Sequence, residues 1–180
     1  MCGICGELRL DGSSPDLELV RTMASRLAHR GPDEEGFFAD GAIALGHRRL
    51  SIIDLTGGRQ PMPNERRDVW VAFNGEVYNF AELRAELEAK GHRFRTRSDT
   101  EAIVHAYEEH GLGVLERLRG MFALAIWDAR RRRLLLARDR LGKKPLYWSH
   151  RGGRLLFASE LPALLAAPLE RAVDPQALRG

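Results

Sequence analysis

Cys2 is the residue in this sequence with the most obvious capacity for chemistry. A small residue at position 2 permits removal of the initiator methionine, which would leave a thiol and a free α-amine on one residue. The amine has an ordinary pKa of about 7.7–8.0 and the thiol one of about 8.5. An amine titrating that close to neutrality can act as general base for its own side chain, directly or through a water. One residue then supplies nucleophile and base, and no catalytic histidine is needed. A free cysteine at the head of a strand is also an ordinary buried core residue, and position alone does not choose between the two. Cys2 and Cys5 form a C-x-x-C pair. Redox pairs of this kind sit at a helix N-terminus after a strand, whereas this one precedes a strand-like segment. No second cysteine pair or close histidine pair completes a zinc site. Cys5 is read as core, and no metal is expected.

Further polar groups stand at places where the local pattern breaks. Arg49 follows an apolar stretch and taken singly is a surface cation. Asn74-Gly75 ends the run Val69-Trp70-Val71-Ala72-Phe73 and taken singly is a hairpin turn. Asp99 precedes a helical segment and taken singly is an N-cap. His29-Arg30-Gly31-Pro32-Asp33 reads as a helix stop with an ion pair, or as a gate over a site.

The elements that must hold these residues follow from periodicity. Ile4 to Leu10 alternates apolar and polar residues, a first strand. Ser14-Pro15-Asp16 opens a helix carrying Leu17, Val20, Met23, Ala24 and Leu27, and Gly31-Pro32 stops it. Phe37 to Ala39 and Ile43 to Leu45 form a hairpin around Asp40-Gly41. The continuous apolar run from Val69 suits a strand buried on both faces. Asn79 with Glu82 resembles a capping pair for a helix through Leu83 and Leu87. A second helix runs from Thr100 to His110, capped by Ser98 or Asp99 and followed by Gly111. Phe122 to Asp128, Leu134 to Arg138, Leu146 to Ser149 and Leu155 to Ala158 are four more strands, and Pro162 to Ala167 a short helix. Strands come in runs separated by helix pairs, which favours an α+β layout of antiparallel sheets with helices outside.

The bulk numbers fit this picture. The 180 residues are 44% hydrophobic and 29% charged with a net charge of +3, which suits one domain with a sizeable core. No apolar run approaches the roughly 20 residues of a membrane helix, and the N-terminus lacks the basic and apolar regions of a secretory signal. The expected compartment is the cytoplasm. The densest basic run, Arg130 to Arg133, lies between two strands without interleaved aromatics. It reads as a solvated turn, so no nucleic-acid partner is expected.

The motifs in order carry more than any one of them. Cys2-Gly3-Ile4-Cys5-Gly6, His29-Arg30-Gly31-Pro32-Asp33, Arg48-Arg49-Leu50-Ser51-Ile52-Ile53-Asp54, Asn74-Gly75-Glu76-Val77-Tyr78-Asn79 and Ser98-Asp99-Thr100-Glu101 are followed by Gly120-Met121-Phe122-Ala123 and Arg138 to Tyr147. This ordered set resembles the class II glutamine amidotransferase domain of asparagine synthetases. The resemblance covers nearly the whole chain and implies a four-layer αββα fold of the N-terminal-nucleophile hydrolase type. It implies glutamine hydrolysis to glutamate and ammonia, with Cys2 as nucleophile. Arg49 becomes the reader of the glutamine carboxylate, since its planar fork suits a bidentate grip. Asp99 becomes the reader of the ammonium, with Glu76 and Gly75 completing the α-group pocket. Leu50, Ser51, Ile52 and Ile53 would line the substrate, and Asn74 and Gly75 would form the oxyanion hole. The segment Arg138 to Tyr147 is structural or faces a partner domain.

Asparagine synthetases pair this domain with a C-terminal ATP-dependent synthetase domain. Thr56-Gly57-Gly58-Arg59 and Gly152-Gly153 do not make the phosphate loop such a domain needs. Residues 1–167 are therefore expected to be the amidotransferase domain, and 168–180 the start of a linker to a synthetase domain. ATP and magnesium are expected only there, with no cofactor in this chain. The competing reading is a non-catalytic regulatory or interaction domain that keeps the fold.

Overall fold

The computed structural model describes residues 1–51 and 57–172. Ile52, Ile53, Thr56 and most of the expected linker lie outside the described residues. Along the chain run β1 (Gly3–Arg9), α1 (Leu17–Ser25), β2 (Glu34–Asp40), β3 (Ile43–Arg49), β4 (Met62–Pro63) and β5 (Val69–Val77). Then come α2 (Phe80–Ala89), α3 (Asp99–His110), α4 (Val114–Arg117), β6 (Gly120–Asp128), β7 (Arg133–Arg138), β8 (Tyr147–Arg151), β9 (Arg154–Ala158) and α5 (Leu161–Leu164). One sheet has the order β2-β3-β1-β9-β8 and the other β4-β5-β6-β7. Every pairing described is antiparallel.

The two-residue period of the strands sorts side chains into layers. Ile4, Leu45 and Phe157 of the first sheet meet Trp70, Ala72, Ala123 and Trp127 of the second in a shared core. The alternate residues Val71, Phe73, Leu124 and Ile126 face outward, under Leu83 and Leu87 of α2 and Ile103 and Tyr107 of α3. On the far side Cys5, Ala44, Leu156 and Ala158 pack under Val20 and Met23 of α1 and Ala163 of α5. Helix, sheet, sheet and helix are thus stacked as the expected αββα sandwich. The apolar run from Val69 is continuous because both of its faces are covered. Cys5 is fully buried, and burial pushes its thiol up to about 12, so it is inert core.

Two local expectations are corrected. Asn74 and Gly75 are not a turn: β5 continues through them, opposite Ala123 and Phe122 of β6. A cross-strand ladder on a nine-residue strand outweighs the local turn preference. Asn79 sits at the N-cap of α2 but makes no capping bond. Its amide instead donates to the Arg117 carbonyl at 3.0 Å and its oxygen accepts from the Arg119 N–H at 3.0 Å.

His47 ties the layers together. It is buried in β3, and its Nε2 lies 3.0 Å from the Phe73 carbonyl of β5. A carbonyl only accepts, so Nε2 carries a proton. Burial pushes its pKa down to about 4, with Arg49 acting in the same sense. A depressed imidazole contributes stability that is complete above its unfolded value of about 6.5 and is lost as pH falls towards 4. Linkage puts the loss at about 2 kcal/mol by pH 5. Urea unfolding at pH 7 and pH 5 should show His47→Gln losing less stability over that interval than wild type. Equal losses would remove His47 as the source.

Candidate active site

Cys2 leads into β1, the central strand of its sheet, beside the end of β3. Its thiol lies 3.7 Å from the Leu50 carbonyl. Its own carbonyl accepts from Arg30 Nε at 2.9 Å, and Arg30 Nη1 is anchored on Glu160 at 2.7 Å. Arg30 is buried and fixes the backbone of the nucleophile candidate. Gly31 allows this approach, because a Cβ there would lie 2.3 Å from the Arg48 carbonyl carbon. The helix-stop motif therefore serves as a clamp on Cys2.

The thiol opens on a pocket of about 230 Å³. Arg49, Leu50, Asn74, Gly75, Glu76 and Asp99 all line it, together with Met1, Gln60, Thr100, Met121 and Lys144. Residues more than seventy positions apart in sequence meet here because β3 and β5 lie in facing sheets. Ser51 is not among the lining residues. Its N–H donates to the Asp33 carboxylate at 2.7 Å.

Arg49 is no surface cation. It is 4% exposed, and its Nη1 pairs with Glu34 at 2.7 Å, which holds the guanidinium at the pocket wall. The helix cap is Ser98, whose hydroxyl accepts from the Thr100 N–H. Asp99 is therefore the first helical residue, with its carboxylate accepting from Val77 N–H at 3.0 Å on the pocket side. Burial raises its pKa, and the charge of Glu76 adds to the rise. Two acidic groups so placed gain from a cation between them.

Asn74 is 1% exposed, and its amide nitrogen has no hydrogen-bond partner. An orphaned buried donor costs about 1–3 kcal/mol, so a native fold keeps one only for a reason. Gly75 is required by the strand crossing, since a Cβ would lie 2.2 Å from the Met121 carbonyl oxygen. Burial pushes the Cys2 thiol up, while the chain's terminal ammonium and Arg49 draw it back and Asp99 opposes them.

The glutamine amidotransferase domain model matches residues 1–180. The chain belongs to the glutamine amidotransferase domain family. It is 42% identical over 182 residues to asparagine synthetase [glutamine-hydrolyzing] 1 of Bacillus subtilis, covering 99% of this chain and 29% of that protein. It is 45% identical over 167 residues to asparagine synthetase [glutamine-hydrolyzing] 2 of Arabidopsis thaliana, covering 91% and 28% respectively. This amidotransferase domain thus spans less than a third of the length of those relatives. The solved structure of glutamine phosphoribosylpyrophosphate amidotransferase from B. subtilis shares its fold, with a TM-score of 0.76 at 24% identity over 92% of this chain and 43% of that one. Among the described residues, no helix is long and apolar enough to cross a membrane.

Arg30, Gln60 and Lys144 are among the residues of this domain's site that were not assigned from sequence. Arg30 acts through a backbone carbonyl, which no motif announces. Gln60 lines the pocket while its Oε1 accepts from Phe73 N–H at 2.7 Å. Lys144 is brought to the pocket by Asp139, whose carboxylate accepts from the N–H groups of Phe122, Leu141, Lys143 and Lys144. That network makes Arg138 to Tyr147 a folded arm of the site.

Proposed function

We propose that this domain hydrolyses glutamine to glutamate and ammonia, with Cys2 as N-terminal nucleophile after removal of Met1. The observation that carries the reading is the unpaired Asn74 amide in the same pocket as the Cys2 thiol. In this reading the α-amine of Cys2 takes the thiol proton. The thiolate attacks the carboxamide carbon, and the resulting oxyanion is met by Asn74 and the backbone at Gly75. Collapse, with the α-ammonium returning its proton to the leaving nitrogen, expels ammonia and leaves a thioester, which water hydrolyses to glutamate and the free thiol. Arg49 receives the substrate carboxylate, and Asp99 with Glu76 the ammonium. Leu50 supplies a carbonyl and apolar contact. None of these steps calls on a metal or nucleotide within this domain.

The ammonia is proposed to pass to a C-terminal ATP-dependent synthetase domain that amidates a carboxylate, with ATP and magnesium used there. The names and greater length of the asparagine synthetase relatives support this. Residues 1–167 would form the amidotransferase unit and 168–180 the link, working in the cytoplasm.

Two variants separate binding from chemistry. Cys2→Ala should abolish ammonia release while glutamine still binds, because the pocket is built from other residues. Arg49→Ala should mainly raise KM, because it grips a carboxylate present in ground and transition states alike. Calorimetric titration of Cys2→Ala with glutamine and steady-state kinetics of Arg49→Ala provide the test. An unchanged KM for Arg49→Ala would overturn its assignment.

A further inference from the structure

Away from the pocket, two histidines and two glutamates converge on one point. His105 and Glu108 lie one turn apart on α3, Glu65 follows β4, and His92 follows α2. One ligand atom from each lies within 4.8 Å of all the others. His105 Nδ1 is 3.0 Å from Glu108 Oε2 and 3.5 Å from Glu65 Oε2, and His92 Nδ1 is 3.8 Å from the same Glu108 oxygen. A tetrahedral zinc with bonds of about 2.0–2.1 Å sets its ligands about 3.3 Å apart. These three spacings bracket that value, and the remaining ones reach no further than 4.8 Å.

The surroundings turn the same atoms inward. His92 Nε2 lies 3.0 Å from Glu109, which leaves its Nδ1 for the centre. Asn64 donates to the other Glu108 oxygen at 2.8 Å, and the Arg93 N–H to the other Glu65 oxygen at 3.3 Å. His105 is 1% exposed, and its Nε2 has no hydrogen-bond partner, with Glu101 at 3.8 Å. For His92, Glu65 and Glu108 the outer partners fix orientation and leave one atom inward, as metal ligands require, while the outer nitrogen of His105 faces Glu101 at 3.8 Å. A single protonated histidine would satisfy Glu65 and Glu108. It would not explain why a second imidazole presents its Nδ1 to the same oxygen.

We propose that Glu65, His92, His105 and Glu108 bind one zinc ion in a closed structural site. Four protein donors leave no open position, so the ion does no chemistry. It pins the segments after β4 and α2 onto α3, whose first residue is Asp99 of the pocket wall. The sequence expectation of a metal-free chain rested on the lack of a second cysteine pair or a close histidine pair. These ligands come from three separate segments with no local spacing to announce them.

The test is zinc titration of the metal-stripped chain against a chromophoric chelator, in wild type and in Cys2→Ala, which removes the reactive thiol. One equivalent should bind in both. His92→Ala and Glu65→Gln, both at partly exposed positions, should each weaken binding about 100-fold or more, since loss of even an outer partner costs 10–100-fold. Cobalt(II) in the wild-type chain should give the intense visible bands of a tetrahedral site. No zinc retained against the chelator, binding indifferent to both variants, or binding lost in Cys2→Ala would each overturn the proposal.

Discussion

A chain that keeps Met1 is expected to release ammonia from glutamine at least about 10²-fold more slowly than one that begins at Cys2. General-base assistance is worth about 10²–10⁴, and with Met1 in place the nitrogen of Cys2 is an amide that cannot accept a proton. The thiol cannot make up the difference alone, because burial holds its pKa above the ordinary value. Met1 also occupies the site: it lines the pocket, and its sulfur lies 3.4 Å from Lys144 Nζ. The two forms differ by one residue in intact mass, so N-terminal mass spectrometry paired with an ammonia assay on each form decides the matter. Equal rates would show that the α-amine is not the base.

The second large effect belongs to Asn74→Ala, with turnover expected to fall about 10²–10³-fold, the usual cost of one oxyanion donor. Thermal stability should hold or rise slightly, because the substitution removes a buried donor that the fold leaves unpaired. Such opposed changes mark a residue kept for reaction at some expense to folding. Asn74→Asp should be slower still, since it sets a carboxylate where negative charge develops. At 1% exposure, however, that carboxylate would also weaken the fold, so alanine isolates the chemistry better. Near-normal turnover in the alanine variant would leave only the backbone at Gly75 as donor.

Much of this architecture could be read from residue order. Helices α1 and α3 and the long strands announced themselves because each buries a periodic apolar face, and burial dominates their energetics. Signals resting on local conformational preference were weaker guides. Asn74-Gly75 has the composition of a turn but lies inside a strand, since pairing along β6 outweighs a turn preference. Asn79 has the composition of a cap, yet its amide is claimed by the chain around Arg117 and Arg119. The two-residue β4 and the single-turn α4 are too short to carry a period at all. In the site, Cys2, Arg49, Asn74, Gly75, Glu76 and Asp99 were legible through the ordered motifs. Arg30, Gln60 and Lys144 were not, because each owes its place to a backbone partner or to a distant carboxylate.

The thiol and the Asn74 amide belong to different sheets, and the packed layer between those sheets, with the His47 bond across it, sets how far apart they stand. Ala72, Ala123 and Ala125 keep that layer thin, while Trp70, Trp127 and Phe157 fill it. The interlayer core therefore works as a caliper as well as a source of stability. Catalytic groups displaced by about 1 Å can lose 10²-fold in rate, whereas conservative core swaps often cost under 1.5 kcal/mol. Substitution at these positions thus meets a tolerance set by bond-forming distance, tighter than the one that keeps the chain folded.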